Sequence, residues 1–396
     1  MLNRIGKKIE NFVLIQPLIW FILSALTILS ELIREKGAPN NFVIFRQVFW
    51  HTIEKKNLYL PYPAEYFDLN HYGPLFSLLI APFAIIPPFI GCFFWGMANA
   101  TALYFAVQKL PLEKVKINII LLISLVELQT SLHNVQYNPM VATFIILSYV
   151  FIEQKKELWA TFFIMVGLLT KIYGVAGLVF FFFSSDKVKF FYYSIFWFIV
   201  LTIIPVVLSS PEFLIQTYKD WWSSLVYKNS KNATSSSVGG MQDISVFGLI
   251  RRIGKFNNLK VAYILLPAVV LYILPLFRIV DWKNKTFQLL YLSLTLISVV
   301  IFSSAAESPT YIIAIAGVGI WYVIQKDLQL SSKQKHVLLI IAIIFTVFAS
   351  TDLFPPSIRK NLFTAYSIKA LPCLLIWLTI VAQLLFFRTN LNEKKV

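Results

Sequence analysis

Apolar runs of about 15–25 residues recur from one end of this sequence to the other, and nowhere does a stretch alternate apolar with polar positions as a membrane β-strand would. The pattern predicts an all-α polytopic membrane protein. Membrane segments are expected near 11–32, 74–86, 89–108, 117–132, 139–152, 158–170, 172–184, 190–208, 260–278, 286–303, 309–325, 336–350 and 368–387. Pro87-Pro88 breaks the second of these, so 74–86 reads as a re-entrant or interfacial piece. About 12 transmembrane helices remain, with both termini on one side. Ile117–Leu132 would span only about 24 Å, less than a hydrocarbon core of roughly 30 Å. The same shortness holds for 158–170 and 172–184, so the apices HNVQYNP and TKIYG are expected to sit sunk below the outer surface.

Three longer polar intervals, 33–73, 209–259 and 351–367, interrupt the runs. In the first, Phe42, Phe45, Phe49 and Ile53 fall on one helical face, with Arg46, Gln47 and Glu54 elsewhere, which predicts a helix lying in the interface. PEFLIQTYKDWWSSLVY (211–227) is similar and carries an aromatic-belt pair, Trp221-Trp222. The stretch 228–240 is polar and rich in Ser and Gly, which predicts a mobile segment. No internal repeat interrupts this reading of one integral-membrane domain over 1–396.

Composition agrees with the pattern. Of 396 residues, 58% are hydrophobic and only 14% charged, where soluble domains run nearer half apolar with about a quarter charged. A net charge of +16 could suggest a nucleic-acid partner, but the basic residues sit in short loops beside the spans, and loop charge that sets topology accounts for them. One side holds about 19 of the 35 basic residues in roughly 56 positions, and the other holds the rest in roughly 120. The first side is therefore expected in the cytoplasm, with the three polar intervals facing outward from a cytoplasmic (inner) membrane. The first apolar stretch is too long for a signal-peptide core and reads as an uncleaved span. Cys92 and Cys373 lie inside apolar runs and read as core thiols.

Candidate chemistry concentrates in the outer intervals. The sequence has no P-loop, no Rossmann glycines, no metal-ligand spacing and no nucleophile elbow, which argues against a nucleotide-driven pump and predicts neither cofactor nor metal. Between Asn40 and Leu79 stand Arg46, His51, Glu54, Glu65, Asp68 and His71. A carboxylate beside a reacting hydroxyl can act as general base, and nearby cations can hold a phosphate. That combination suits glycosyl transfer from a phosphate-linked donor. Glu54, Glu212, Asp220 and Asp352 read as solvated loop charges, whereas Glu307 sits in a tight turn between two spans. Lys171, flanked by LLT and IYG, is an ammonium at membrane depth beside a helix break, and reads as functional rather than snorkelling. Arg251 and Arg252 fit either a phosphate or anionic headgroups. Glu127 and His133 fit a satisfied pair between helices or a site.

Five pieces in order resemble glycosyltransferase family 87: NNFVIFRQVFWHTIEKKNLYLPYPAEYF; HYGPLFSLLIAPFAIIPPFIGCFFWGMANA, with Gly73 where the family often has Pro; Gln136-Tyr137-Asn138; GLLTKIYG, with Gly174 for a Pro; and MQDISVFGLIRRI. The resemblance covers roughly residues 10–325. It implies a GT-C-type fold with outward amphipathic loop helices, an inverting transfer without metal, and a catalytic carboxylate in the first outer loop. It implies a polyprenyl-phosphate sugar, mannose in this family, as donor substrate, membrane lipids as surroundings, and a glycolipid, glycan or protein acceptor. The family's opening acidic residue is here Asn41, so the base is expected at Asp68, then Glu65, then Glu307. Substrate and phosphate contacts are expected from Lys171, Arg46, Gln136, Asn138, His71, Arg251 and Arg252. A transporter or flippase of lipid-linked sugars, and a non-catalytic envelope-assembly protein, are the competing readings.

Overall fold

The computed structural model describes residues 2–234, 242–256, 260–325 and 330–386, and among these every regular element is helical. Residues 235–241 of the Ser- and Gly-rich stretch, Lys326, and Arg388, Lys394 and Lys395 lie outside the described residues. The chain divides into two compact units, Met1–Lys231 and Asn232–Val396.

In the first unit α1 (Leu2–Arg34) packs on α4 (Pro88–Gln108) and α5 (Lys114–His133). Between α1 and α4 come α2 (Asn40–Ile53), a long loop, and α3 (Phe76–Ala84). The diproline ends α3 and starts α4, with Pro88 in the first turn where its missing N–H costs nothing. Next come α6 (Asn138–Glu153), α7 (Glu157–Thr170) and a 3₁₀ stretch, Ile172–Phe183. Then follow α8 (Lys187–Ile203), which continues as Ile204–Leu208, and α9 (Pro211–Thr234). Asp186 caps α8 by accepting from the Lys189 N–H at 2.9 Å.

The second unit is built on a hairpin of α12 (Lys285–Ile301) and α13 (Tyr311–Val323). Leu290, Leu294, Ile297, Ile313 and Ile320 are fully buried there, and Ser293 Oγ donates to the Gly317 carbonyl at 2.6 Å. Around this hairpin lie α10 (Val246–Gly254), α11 (Ala262–Ile273, continuing to Phe277), α14 (Ser332–Ala342) and the last helix, Ala370–Leu385. Two π-helical stretches, Ile343–Val347 and Arg359–Thr364, belong to the same unit.

Five described helices are long and apolar enough to cross a membrane: Gln16–Arg34, Pro88–Gln108, Lys114–His133, Lys187–Leu208 and Ser332–Ser350. Shorter apolar helices coincide with the other expected segments except 74–86, where only the nine-residue α3 stands. The protein is an all-α polytopic membrane protein. Val188, Phe191, Ile195, Phe196 and Ile199 of α8 are exposed, the apolar face that a helix turns to lipid. One expectation is corrected. Helix α5 begins at Lys114 and runs 20 residues, about 30 Å, so the 117–132 segment is long enough to cross.

Candidate functional site

The first long loop is held by its own helices. Helix α2 buries Phe42, Phe45 and Phe49 of the predicted apolar face, while Ile53 at its end is exposed. Phe45 meets Tyr72, Phe76 and Trp95 edge-on, with ring centroids 5.2–5.9 Å apart. Tyr72 in turn stacks on Phe76 at 4.6 Å and meets Tyr137 at 5.5 Å. This aromatic cluster fixes the end of the loop against α4 and α6, with geometry-specific contacts worth about 0.5–1.5 kcal/mol each beyond area burial. The loop's start is pinned by two asparagines. Asn40 exchanges two hydrogen bonds of 2.8 Å with the Phe67 backbone, and Asn41 donates to the Asn134 carbonyl at 2.7 Å. Asn41, where the resemblance leads one to expect an acidic residue, thus serves here as a tie between α2 and the turn after α5.

Gly73 stands where the resemblance leads one to expect a proline, and the packing accounts for it. Its N–H donates to the Thr170 carbonyl at 3.0 Å, and a Cβ there would lie 2.1 Å from the Leu169 carbonyl oxygen. Trp221 of α9 closes the other side, its Nε1 donating to the His71 carbonyl at 3.1 Å. Neither a side chain nor the missing N–H of proline fits that contact. Gly174 is a similar case: a Cβ would lie 2.2 Å from the Gly167 carbonyl carbon.

These constraints leave a cleft of about 640 Å³ between the loop and α9, lined by Asn57, Tyr59, Asp68, Asp220, Ser224 and neighbours. Asp68 is exposed, at φ +75°, in the left-handed region that Asp tolerates better than most residues. Its carboxylate takes no hydrogen bond among the described residues. Asp220 is half-buried and accepts from Asn57 Nδ2 and Gln216 Nε2, both at 2.8 Å. Tyr59 forms the inner wall. Burial pushes its phenol well above the ordinary value near 10, and the charge of Asp220 adds to this, so Tyr59 is a neutral donor, bonded to the Tyr72 carbonyl at 3.0 Å.

Glu65 stands apart from that pair. It lies 2.9 Å from Nε2 of the buried His51, whose ring packs 4.2 Å from that of Tyr62. Arg46 extends beside Trp50, 5.6 Å from its ring, and its Nε has no hydrogen-bond partner among the described residues.

The turns HNVQYNP and TKIYG meet. Helix α7 ends at Thr170, Lys171 is extended, and its Nζ donates to Oδ1 of the buried Asn138 at 2.8 Å. The ammonium also faces the rings of Tyr173 and Tyr72 at 5.0 and 5.7 Å. Tyr72 therefore links Lys171 to Tyr59 and the carboxylate cleft. Gln136 is half-buried in the same turn, next to Val135 at φ +48°.

The remaining candidates lie in the second unit. Glu307 is half-buried, its N–H donating to Thr310 Oγ1 at 3.2 Å at the start of α13. Arg251 is buried in an ion pair with Asp243, and Arg252 donates to the Thr364 carbonyl, Ser367 Oγ and the Gln242 carbonyl at 2.7–2.9 Å. Arg252 thus braces α10 against the 359–369 segment, and Arg251 ties α10 to Asp243 just before it. To hold a phosphate they would have to leave these partners. His133 and Glu127 do not form the pair considered above: His133 binds Glu31 and Arg34 of α1.

Sequence reasoning missed the cleft partnership of Asp220 with Asp68. The residues are far apart in the chain and no local spacing joins them. The single signal was Asp220 on an amphipathic helix beside the Trp221-Trp222 pair. The His51–Glu65 contact was equally invisible, because the intervening loop has no regular period.

Together these features define a polytopic helical membrane protein with a polar, carboxylate-bearing cleft built on its first long loop. Residues 70–305 match the family model described as Glycosyltransferase family 87, more than half of the 396-residue chain. The chain belongs to glycosyltransferase family 87, and its general activity is that of a membrane glycosyltransferase. The matched region takes in His71, Gln136, Asn138, Lys171, Arg251 and Arg252, and begins just after Asp68. No curated protein matches the chain.

Proposed function

We propose that the protein transfers a sugar, mannose first among candidates, from a polyprenyl-phosphate donor to a glycolipid or glycan acceptor at the outer face of the cytoplasmic membrane. The observation that carries this reading is the cleft in which Asp68, without a hydrogen-bond partner among the described residues, stands opposite the firmly held Asp220. One carboxylate is available to take a proton while the other is occupied. Asp68 accepts the proton of the acceptor hydroxyl, whose oxygen attacks the anomeric carbon. The bond from that carbon to the phosphate oxygen breaks, and the lipid phosphate leaves with the electron pair, so the configuration inverts. The leaving phosphate is stable as it departs and needs no general acid. Lys171, oriented by Asn138, offers positive charge to the growing phosphate charge. Glu65 positions the loop through His51, and Glu307 is the second choice of base.

The test is release of sugar from polyprenyl-phosphate-mannose by the purified protein, with wild type set beside Asp68→Asn, Asp220→Asn, Glu65→Gln and Glu307→Gln. Loss of turnover confined to Asp68→Asn, with the others within about tenfold, supports the assignment; catalysis by a positioned base contributes about 10²–10⁴-fold. Full activity in Asp68→Asn removes it. No turnover in the wild type with mannose, glucose or arabinose donors and a membrane-lipid extract would favour transport or assembly instead.

A further inference from the structure

The second unit holds a polar cavity of about 460 Å³ that none of the foregoing chemistry uses. Its polar lining includes Lys369, Arg359, Lys360, Ser308, Ser350 and Thr364, with Phe363 and Pro356 among the apolar walls. Lys369 is 3% exposed, an unusual position for an ammonium. It donates to Ser308 Oγ at 2.8 Å and Ser350 Oγ at 3.2 Å, and lies 5.1 Å from the Tyr311 ring. Each serine oxygen that accepts from the ammonium keeps its own O–H to donate elsewhere. Arg359 Nη1 pairs at 2.9 Å with Asp352, which is 93% exposed, while its Nε is buried without a hydrogen-bond partner among the described residues. Lys360 is exposed at the rim. The carboxylates nearby are the solvated Asp352, Glu307, next to Ser308 in sequence, and Asp243, next to Ile244 and already paired with Arg251, so cations outnumber anions around the cavity. The π-helical stretch Arg359–Thr364 supplies Arg359, Lys360, Phe363 and Thr364 to its wall, a distortion found mostly at functional sites.

From this arrangement we infer that the cavity is a phosphate-binding site, suited to a phosphate monoester carrying an apolar group. Two serine hydroxyls, the Arg359 guanidinium and the Lys360 ammonium line the cavity as donors, and the buried Lys369 adds a further positive charge. Phe363 and Pro356 offer an apolar wall to whatever the phosphate carries. The inference is independent of the carboxylate cleft of the first unit, and it stands or falls without any measurement of sugar transfer.

The experiment is calorimetric titration of the full-length protein in detergent with three probes: inorganic phosphate, a short-chain phosphatidic acid, and the diacylglycerol with the same chains. Phosphatidic acid is expected to bind and the diacylglycerol not. Lys369→Met and Arg359→Gln are expected to weaken binding about tenfold or more, the usual effect of losing a hydrogen bond to a charged group. Inorganic phosphate bound with the same sensitivity to these variants identifies free phosphate recognition. Phosphatidic acid bound alone identifies a lipid headgroup. The rim variant Lys360→Gln, which leaves the interior intact, should weaken binding a few-fold, as expected for an exposed charge, and it decides the matter if Lys369→Met fails to fold. Absence of binding by the wild type, equal binding of the diacylglycerol, or unchanged affinity in a folded Arg359→Gln or Lys360→Gln overturns the inference.

Discussion

The contact between Lys171 and Asn138 offers the sharpest test of how the turns after α5 and α7 work together. Asn138 is 1% exposed and accepts from the Lys171 ammonium at 2.8 Å. A hydrogen bond to a charged group contributes about 1.5–3 kcal/mol. The half-exposed ammonium is partly screened, and hydrogen bonds between membrane helices average only ~0.6 kcal/mol, with a maximum near 1.7. The pairwise coupling should therefore be about 1 kcal/mol. Lys171→Met, Asn138→Ala and the double variant, each unfolded by denaturant in mixed micelles, give that coupling directly. Turnover separates structure from chemistry. If Lys171 stabilises the departing phosphate, Lys171→Met lowers kcat about 10²–10³-fold, the effect of removing a transition-state donor, with a smaller change in KM. Asn138→Ala, which leaves the ammonium in place between two tyrosine rings, should lose much less. A coupling indistinguishable from zero would refute the stated role of Asn138. Equal losses of kcat in both single variants would show that Lys171 acts by holding the turn and not by its charge.

Other expectations follow from the same geometry. Gly73→Ala places a methyl 2.1 Å from a carbonyl oxygen, and should cost about 1–3 kcal/mol, seen as a lower melting temperature. His51→Ala removes the partner of Glu65 and the face against Tyr62, so protease cleavage within 54–72 should accelerate while the helices stay intact. Tyr59 bears on alkaline stability. Its folded pKa is raised, so its contribution is fully present below the ordinary phenol value near 10 and is lost as pH rises from there towards the folded value. Tyr59→Phe should therefore lessen the fall in stability above pH 10 by about 1.4 kcal/mol per pH unit, read from unfolding midpoints. An unchanged slope would show that Tyr59 titrates normally.

The sequence by itself determined the helices, because a helix in lipid satisfies its own backbone and needs only a long enough apolar run. Thus 89–108 and 309–325 fell within a few residues of α4 and α13, the diproline placed the break after α3, and Lys171 was legible as a polar group beside a helix end. The family was legible too, from five short motifs in order. Tertiary structure alone decided which polar groups meet. Asp220 joins Asp68 because α9 folds over the loop, His51 finds Glu65 within it, and Asn138 meets Lys171 where two helix turns converge. Arg251 and Arg252 looked like free cations in the sequence and are buried braces in the fold. Lys369 falls within the expected segment 368–387, and only packing reveals the cavity it backs. The physical reason is common to all of these. Hydrophobic burial is local and periodic, so it is written in spacing, whereas a hydrogen bond or ion pair acts over about 3 Å between residues whose separation along the chain carries no signal.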